Sequence, residues 1–254
     1  MAPPVATSQD TLKALLERSK RQRAVPVRVG LVQGGRRGHP KPGPLAELVR
    51  RRDERGLELL LLVIALASAP PWNVYRPSQV WARALDLDTT SSPAAAISKI
   101  WKRLENLTLI ERARKGRRAS ITPLCEDGSG RPYEHPGRVR DRYFQIPLSF
   151  WTDENFWCRR LGLAEKAMLL IALSLRDEFI LPVERVPNWY GISSDTASRG
   201  ITGLLKTGLL TYRHVEKKAP LAPEGFTVDR HYSLAPALRL ASERKNKLTP
   251  LRAV

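Results

Sequence analysis

Residues 92–110, SPAAAISKIWKRLENLTLI, carry the pattern on which the fold turns. Ser92 stands where an N-cap hydroxyl can take up the first free amides, and Pro93 suits the first helical position, where its missing N–H costs nothing. From there Ile97, Ile100 or Trp101, and Leu104 recur at helical spacing and define a buried face, which leaves Ala95, Ser98, Lys99, Lys102 and Arg103 largely outward. The helix runs out near Asn106. Leu109-Ile110-Glu111-Arg112 then begins a strand, Lys115-Gly116-Arg117-Arg118 makes a turn, and Ala119-Ser120-Ile121-Thr122 returns.

Working upstream, an apolar helix from Leu57 to Ser68 is closed by Ala69-Pro70-Pro71, a short Trp72-Asn73-Val74-Tyr75 segment follows, and a second helix spans Ser78 to Leu85. Downstream the same order recurs. Leu163 to Leu175 is again an apolar helix, Phe179-Ile180-Leu181-Pro182 a short strand, and Val183 to Tyr190 a second helix. Residues 194–210, SDTASRGITGLLKTGLL, form the counterpart of the opening stretch, with Ser194 or Ser193 as cap and Ala197, Ile201, Leu204 and Leu205 buried. Tyr212, His214 and Val215 alternate into a strand that pairs with Phe226, Val228 and Tyr232 around a tip at Lys217 to Gly225. Leu104 and Ile110 match Leu204 and Leu210 at one constant offset, so the chain holds an internal repeat in element order.

Around this body, residues 1–43 mix Pro, Gly and Arg and read as a basic, partly disordered arm, with a short helical pattern near Thr11 to Arg23 and a short strand from Val25 to Val32. Gly43 to Arg55 reads as a helix. The expected divisions are 44–123 for the first unit, 124–138 for a Gly/Pro-rich linker, 139–235 for the second unit and 236–254 for a basic tail. Val139 to Ile146 is expected to form an edge strand of the second unit. The aromatics Phe150, Trp151, Phe156 and Trp157 are expected to pack between the units rather than stack on a base.

The 254 residues include 43 Lys and Arg against 25 Asp and Glu, a net charge of +18. So large an excess favours a polyanionic partner. Residues 1–56 alone hold thirteen basic and five acidic side chains, the densest positive stretch. Cys125 and Cys158 share no metal-ligand spacing with His39, His135, His214 or His231, and neither a zinc finger nor a disulfide framework is indicated. Gly34-Gly35-Arg36-Arg37-Gly38 lacks the Lys-Ser/Thr ending of a phosphate-binding loop, and no H-E-x-x-H or His-x-His pattern is present. The expectation is therefore a cytoplasmic, nucleoid-associated protein without catalytic site, cofactor or metal. The apolar run Leu59 to Ala67 is too short to cross a bilayer, so no membrane partner is expected.

The two third helices with their exits, 92–110 and 194–210, each followed by a hairpin, resemble tandem winged-helix DNA-binding proteins, a group that includes bacterial transcription regulators and plasmid replication initiators. The resemblance covers residues 57–123 and 140–235 and implies an α+β chain, mainly helical with small β-hairpins, built as two tandem winged helix-turn-helix domains. Its implied partner is double-stranded DNA, with a second copy or a replication or transcription protein beside it; winged helices also serve as protein-docking scaffolds. On this reading the first unit meets DNA through Ala95, Ser98, Lys99, Lys102 and Arg103 and a wing of Arg112, Arg114, Lys115, Arg117 and Arg118. The second uses Ser194, Thr196, Arg199, Thr202 and Lys206, with Arg213, Lys217 and Lys218 on its weaker wing. Arg199 is the leading candidate for a bidentate guanine contact, and the strongly cationic first wing suits phosphate or a narrow minor groove.

Overall fold

Thr7 and Asp10 close a capping box at the start of α1 (Ser8–Glu17), and the spacing of Leu12, Leu15 and Leu16 drives that helix into the core. The computed structural model describes residues 5–36, 38–115, 118–139 and 141–239. After α1 comes β1 (Ala24–Arg28), whose Val25 and Val27 are fully buried. The segment expected to be an arm is thus part of the folded body, because its few apolar residues fall at the spacing of one helix face and one strand. A turn of 3-10 helix at Val29–Leu31 leads to a hairpin, β2 (Gln33–Arg36) with β3 (His39–Pro42), and then to α2 (Pro44–Arg50).

Two stretches then share one topology. In the first, α3 (Glu54–Leu66), β4 (Val74–Tyr75), α4 (Ser78–Ala84) and α5 (Pro93–Asn106) precede a hairpin of β5 (Ile110–Lys115) and β6 (Arg118–Pro123), and the sheet order is β4-β6-β5. In the second, α8 (Leu163–Ser174), β8 (Phe179–Ile180), α9 (Val186–Tyr190) and α10 (Ser194–Lys206) precede β9 (Leu210–Lys218) and β10 (Phe226–Leu234), ordered β8-β10-β9. Each time the short strand pairs antiparallel with the last strand, so the hairpin folds back over the helices. The molecule is a mixed α+β structure with small antiparallel sheets, and its last described element is α11 (Pro236–Arg239).

Between the stretches lie β7 (Tyr143–Pro147) and two single-turn helices, α6 (Ser149–Thr152) and α7 (Trp157–Arg160). The strand expected at Val139 to Ile146 as an edge of the second unit is β7, but it pairs with β1, setting Val25 opposite Ile146 and Val27 opposite Phe144. The expected linker is also held in place. Cys125, Glu126 and Tyr133 are buried, and Arg28 donates to Glu126 at 2.6 Å and to Asp141 at 2.7 Å. Phe150 and Trp151 are buried against each other edge to face, which agrees with a packing role.

Helices α3 and α8 are apolar on nearly every side, the signature of helices enclosed by others. Each carries one buried charge, and the two meet. Lys166 of α8 pairs with Glu58 of α3 and reaches Glu54 at 2.5 Å; Glu58 also receives Arg159 and, at 2.8 Å, Arg55. Arg159 extends the network to Asp86 at 3.0 Å. Burial alone would push the Glu58 carboxyl up, yet the cations of Arg159, Lys166 and Arg55 outweigh it and hold that carboxyl below its ordinary value. The two repeats are therefore joined through a continuous core and through a charged lock between α3 and α8.

Candidate nucleic-acid interface

The third helices α5 and α10 correspond position by position at an offset of one hundred residues. Buried, half-buried and exposed positions agree throughout 95–111 and 195–211. Both helices end alike: Leu109 N–H donates to Leu104 C=O at 3.1 Å, as Leu209 does to Leu204 at 3.1 Å. Thr108 and Gly208 occupy the left-handed region at φ 53° and 71°, so each exit is a Schellman turn aimed directly into the hairpin. Threonine tolerates that strain in the first copy because its hydroxyl bonds the Gly128 carbonyl at 2.5 Å.

The copies differ in what holds them. On α10, Gly200 leaves no room for a side chain, since an added Cβ would stand 2.4 Å from the Ala164 carbonyl oxygen, whereas at Gly203 it would meet the flexible Glu165 side chain, with Oε1 2.4 Å away. Two interior glycines cost helix stability, and the close approach to α8 is what they permit. At the matching positions α5 has Ile100, which is buried, and Arg103, which forks onto Asp53 with bonds of 2.6 and 2.7 Å. Asp53 is itself the N-cap of α3, accepting the Gly56 amide at 3.0 Å. Arg103 therefore ties two helices together, and its expected place among outward cations is revised.

On α5 the exposed side chains are Ala94, Ala95, Ser98, Lys99, Lys102 and Asn106, and neither lysine has an ion-pair partner among the described residues. Ser92 occupies the N-cap position without making the expected side-chain bond. On α10, Ser193 supplies the cap, accepting Thr196 N–H at 3.2 Å, while Ser194 Oγ donates to the Val183 carbonyl at 3.2 Å and anchors the helix start. Thr196 is half-buried; Arg199, Thr202 and Lys206 are exposed. Arg199 lies 3.2 Å from Asp195, an acid in the first turn that the sequence reading passed over. Both side chains of that pair are mostly exposed, so solvent screens it and it yields readily to a ligand.

The hairpins are unequal. Arg112 is drawn back to Glu105 at 2.8 Å and stands 3.4 Å from Ser98. Arg117 and Gly116 lie outside the described residues, as do the side chains of Arg114, Lys115 and Arg118. In the second hairpin Arg213 forks onto Glu178 at 3.0 and 3.1 Å and Lys217 pairs with Asp229 at 2.6 Å, which leaves Lys218 and Arg230 as its outward cations without an ion pair among the described residues. These acids were invisible as partners, because Glu178 is 35 residues from Arg213 and Asp53 is 50 from Arg103.

Gly34 to Gly38 belongs largely to the β2–β3 hairpin, whose geometry is not the strand-to-helix loop that cradles a phosphate. Gln33 Nε2 donates to the Trp189 carbonyl at 3.1 Å, and Pro42 crowds the left-handed Gly191, fixing the hairpin against the turn between α9 and α10. His39 and Lys41 are exposed on it. Burial pushes the Cys158 thiol up to about 12, which keeps it neutral and poorly nucleophilic.

Among the described residues no group of His, Cys, Asp or Glu is placed to hold a metal ion, and no helix is long and apolar enough to cross a membrane. Comparison with protein-family models, with curated proteins and with solved structures gave no match.

Proposed function

We propose that the chain is a double-stranded DNA-binding protein made of two tandem winged helix-turn-helix units, acting as a sequence-specific transcriptional regulator. The observation that carries the reading is the pair of third helices, each with a polar outward face and each feeding a hairpin whose sheet closes in the same strand order. A helix of this kind fits the major groove with its N-terminal residues nearest the base edges. The net charge of +18 supplies the attraction to phosphate.

The two faces divide the work. Around Lys99 and Lys102, α5 offers small side chains and exposed cations, and its first turn holds no acid. That combination suits phosphate contact and positioning. On α10, Asp195 and Arg199 offer an acceptor and a forked donor one turn apart, a pair that suits cytosine N4 and the O6/N7 edge of guanine.

Selection of binding sites from random duplex DNA tests this. The protein is expected to enrich one motif, and Arg199→Ala is expected to relax one position of it by about 1–3 kcal/mol of discrimination while the rest of the motif persists. Equal retention of all sequences by the unaltered protein would contradict the reading.

A further inference from the structure

Seven large apolar side chains are exposed among the described residues, and five of them belong to one sheet and its tip: Ile180, Tyr212, Leu221, Phe226 and Val228. Strand β9 is the outer member of that sheet. Its register with β10 runs unbroken from Lys218 opposite Phe226 to Leu210 opposite Leu234, without a bulge, and it contains no proline. Exposed edges are normally guarded by proline, a bulge, a covering element or charge, since their free backbone groups otherwise template another strand. Here two of the guarding charges are already neutralised, Arg213 by Glu178 and Lys217 by Asp229.

We propose that two copies of the chain associate through β9, edge to edge and antiparallel about a twofold axis at Val215, joining two three-stranded sheets into one. The charges on the strand select this occupant and this register. With Val215 at the axis, His214 of each copy stands opposite Glu216 of the other, and Tyr212 opposite Lys218, both arrangements occurring twice by symmetry. Arg230 lies beside His214 on β10 and within reach of the Tyr212 ring, 5.3 Å from its centroid, so each Glu216 faces a row of two basic side chains. On the opposite face Arg213 meets Lys217, each with its own counter-ion. Moving the axis to Glu216 sets like charges face to face, and moving it to His214 removes the Glu216 pairing.

This association goes beyond the DNA reading and needs no nucleic acid, so sedimentation velocity of the full chain alone, over rising concentration, measures it. A dimer that grows with concentration is expected. Glu216→Lys and His214→Glu are each expected to weaken it about tenfold, since the first removes the acceptor carboxylate from both symmetry-related pairs and sets an ammonium toward Arg230, and the second sets two carboxylates face to face twice over. Combining them places opposite charges across the joint and is expected to return association to within about threefold of the original. Exposed strand positions bear both changes, and thermal melting followed by circular dichroism checks that each variant is folded. A chain that stays monomeric throughout overturns the proposal and leaves the sheet edge to DNA or another protein; a double variant no better than the single ones overturns it as well.

Discussion

Replacing Lys166 with alanine is expected to lower the free energy of unfolding by about 3 kcal/mol, read from the urea midpoint, the low end for breaking a buried ion pair because Glu58 keeps Arg159 and Arg55. Lys166 and Glu58 are almost wholly enclosed, each being the one buried charge of its apolar helix. The lock also has a pH signature. Glu58 titrates below its ordinary value in the folded chain, so its contribution is present above the usual glutamate range and is lost as pH falls through the depressed folded value. Without Lys166 that depression shrinks, and the variant should lose stability at a less acid pH than the parent. A loss under about 1 kcal/mol would show that the network does not join the two halves.

Alanine at Arg114, Lys115, Arg117 and Arg118 together is expected to flatten the plot of log affinity against log salt by about three to four units, one counter-ion contact being released per cation. Retained stability with an unchanged slope would remove the first hairpin from the interface. Arg103→Ala is the matched control. Its guanidinium is committed to Asp53, so the slope should hold while stability falls by about 1–2 kcal/mol, the low end for a charged hydrogen bond because the arginine is partly solvated.

The element order was legible because it rests on local periodicity. Ile97, Ile100 and Leu104, and again Ala197, Ile201 and Leu204, mark a single face at helical spacing, and the exits at Thr108 and Gly208 follow at once. What escaped the sequence is what joins residues far apart. Nothing near Val25 or Val27 announces a partner at Ile146 or Phe144, since strand pairing across more than a hundred residues leaves no local periodicity. A stretch with few apolar residues then looks like an arm, although Leu12, Leu15 and Leu16 suffice to dock it. The cations show the same limit. Lys99, Lys102, Arg199 and Lys206 were legible as outward by helix phase, whereas Arg103 and Arg213 are held by acids that only the tertiary fold brings near.

On the proposed reading α5 and α10 each meet the duplex. Hydroxyl-radical footprinting on the selected site addresses it most directly. Two separate protected segments are expected, one fading when Lys99 and Lys102 are replaced by alanine and the other when Arg199 and Lys206 are. A single protected segment that responds to only one of these pairs would contradict it.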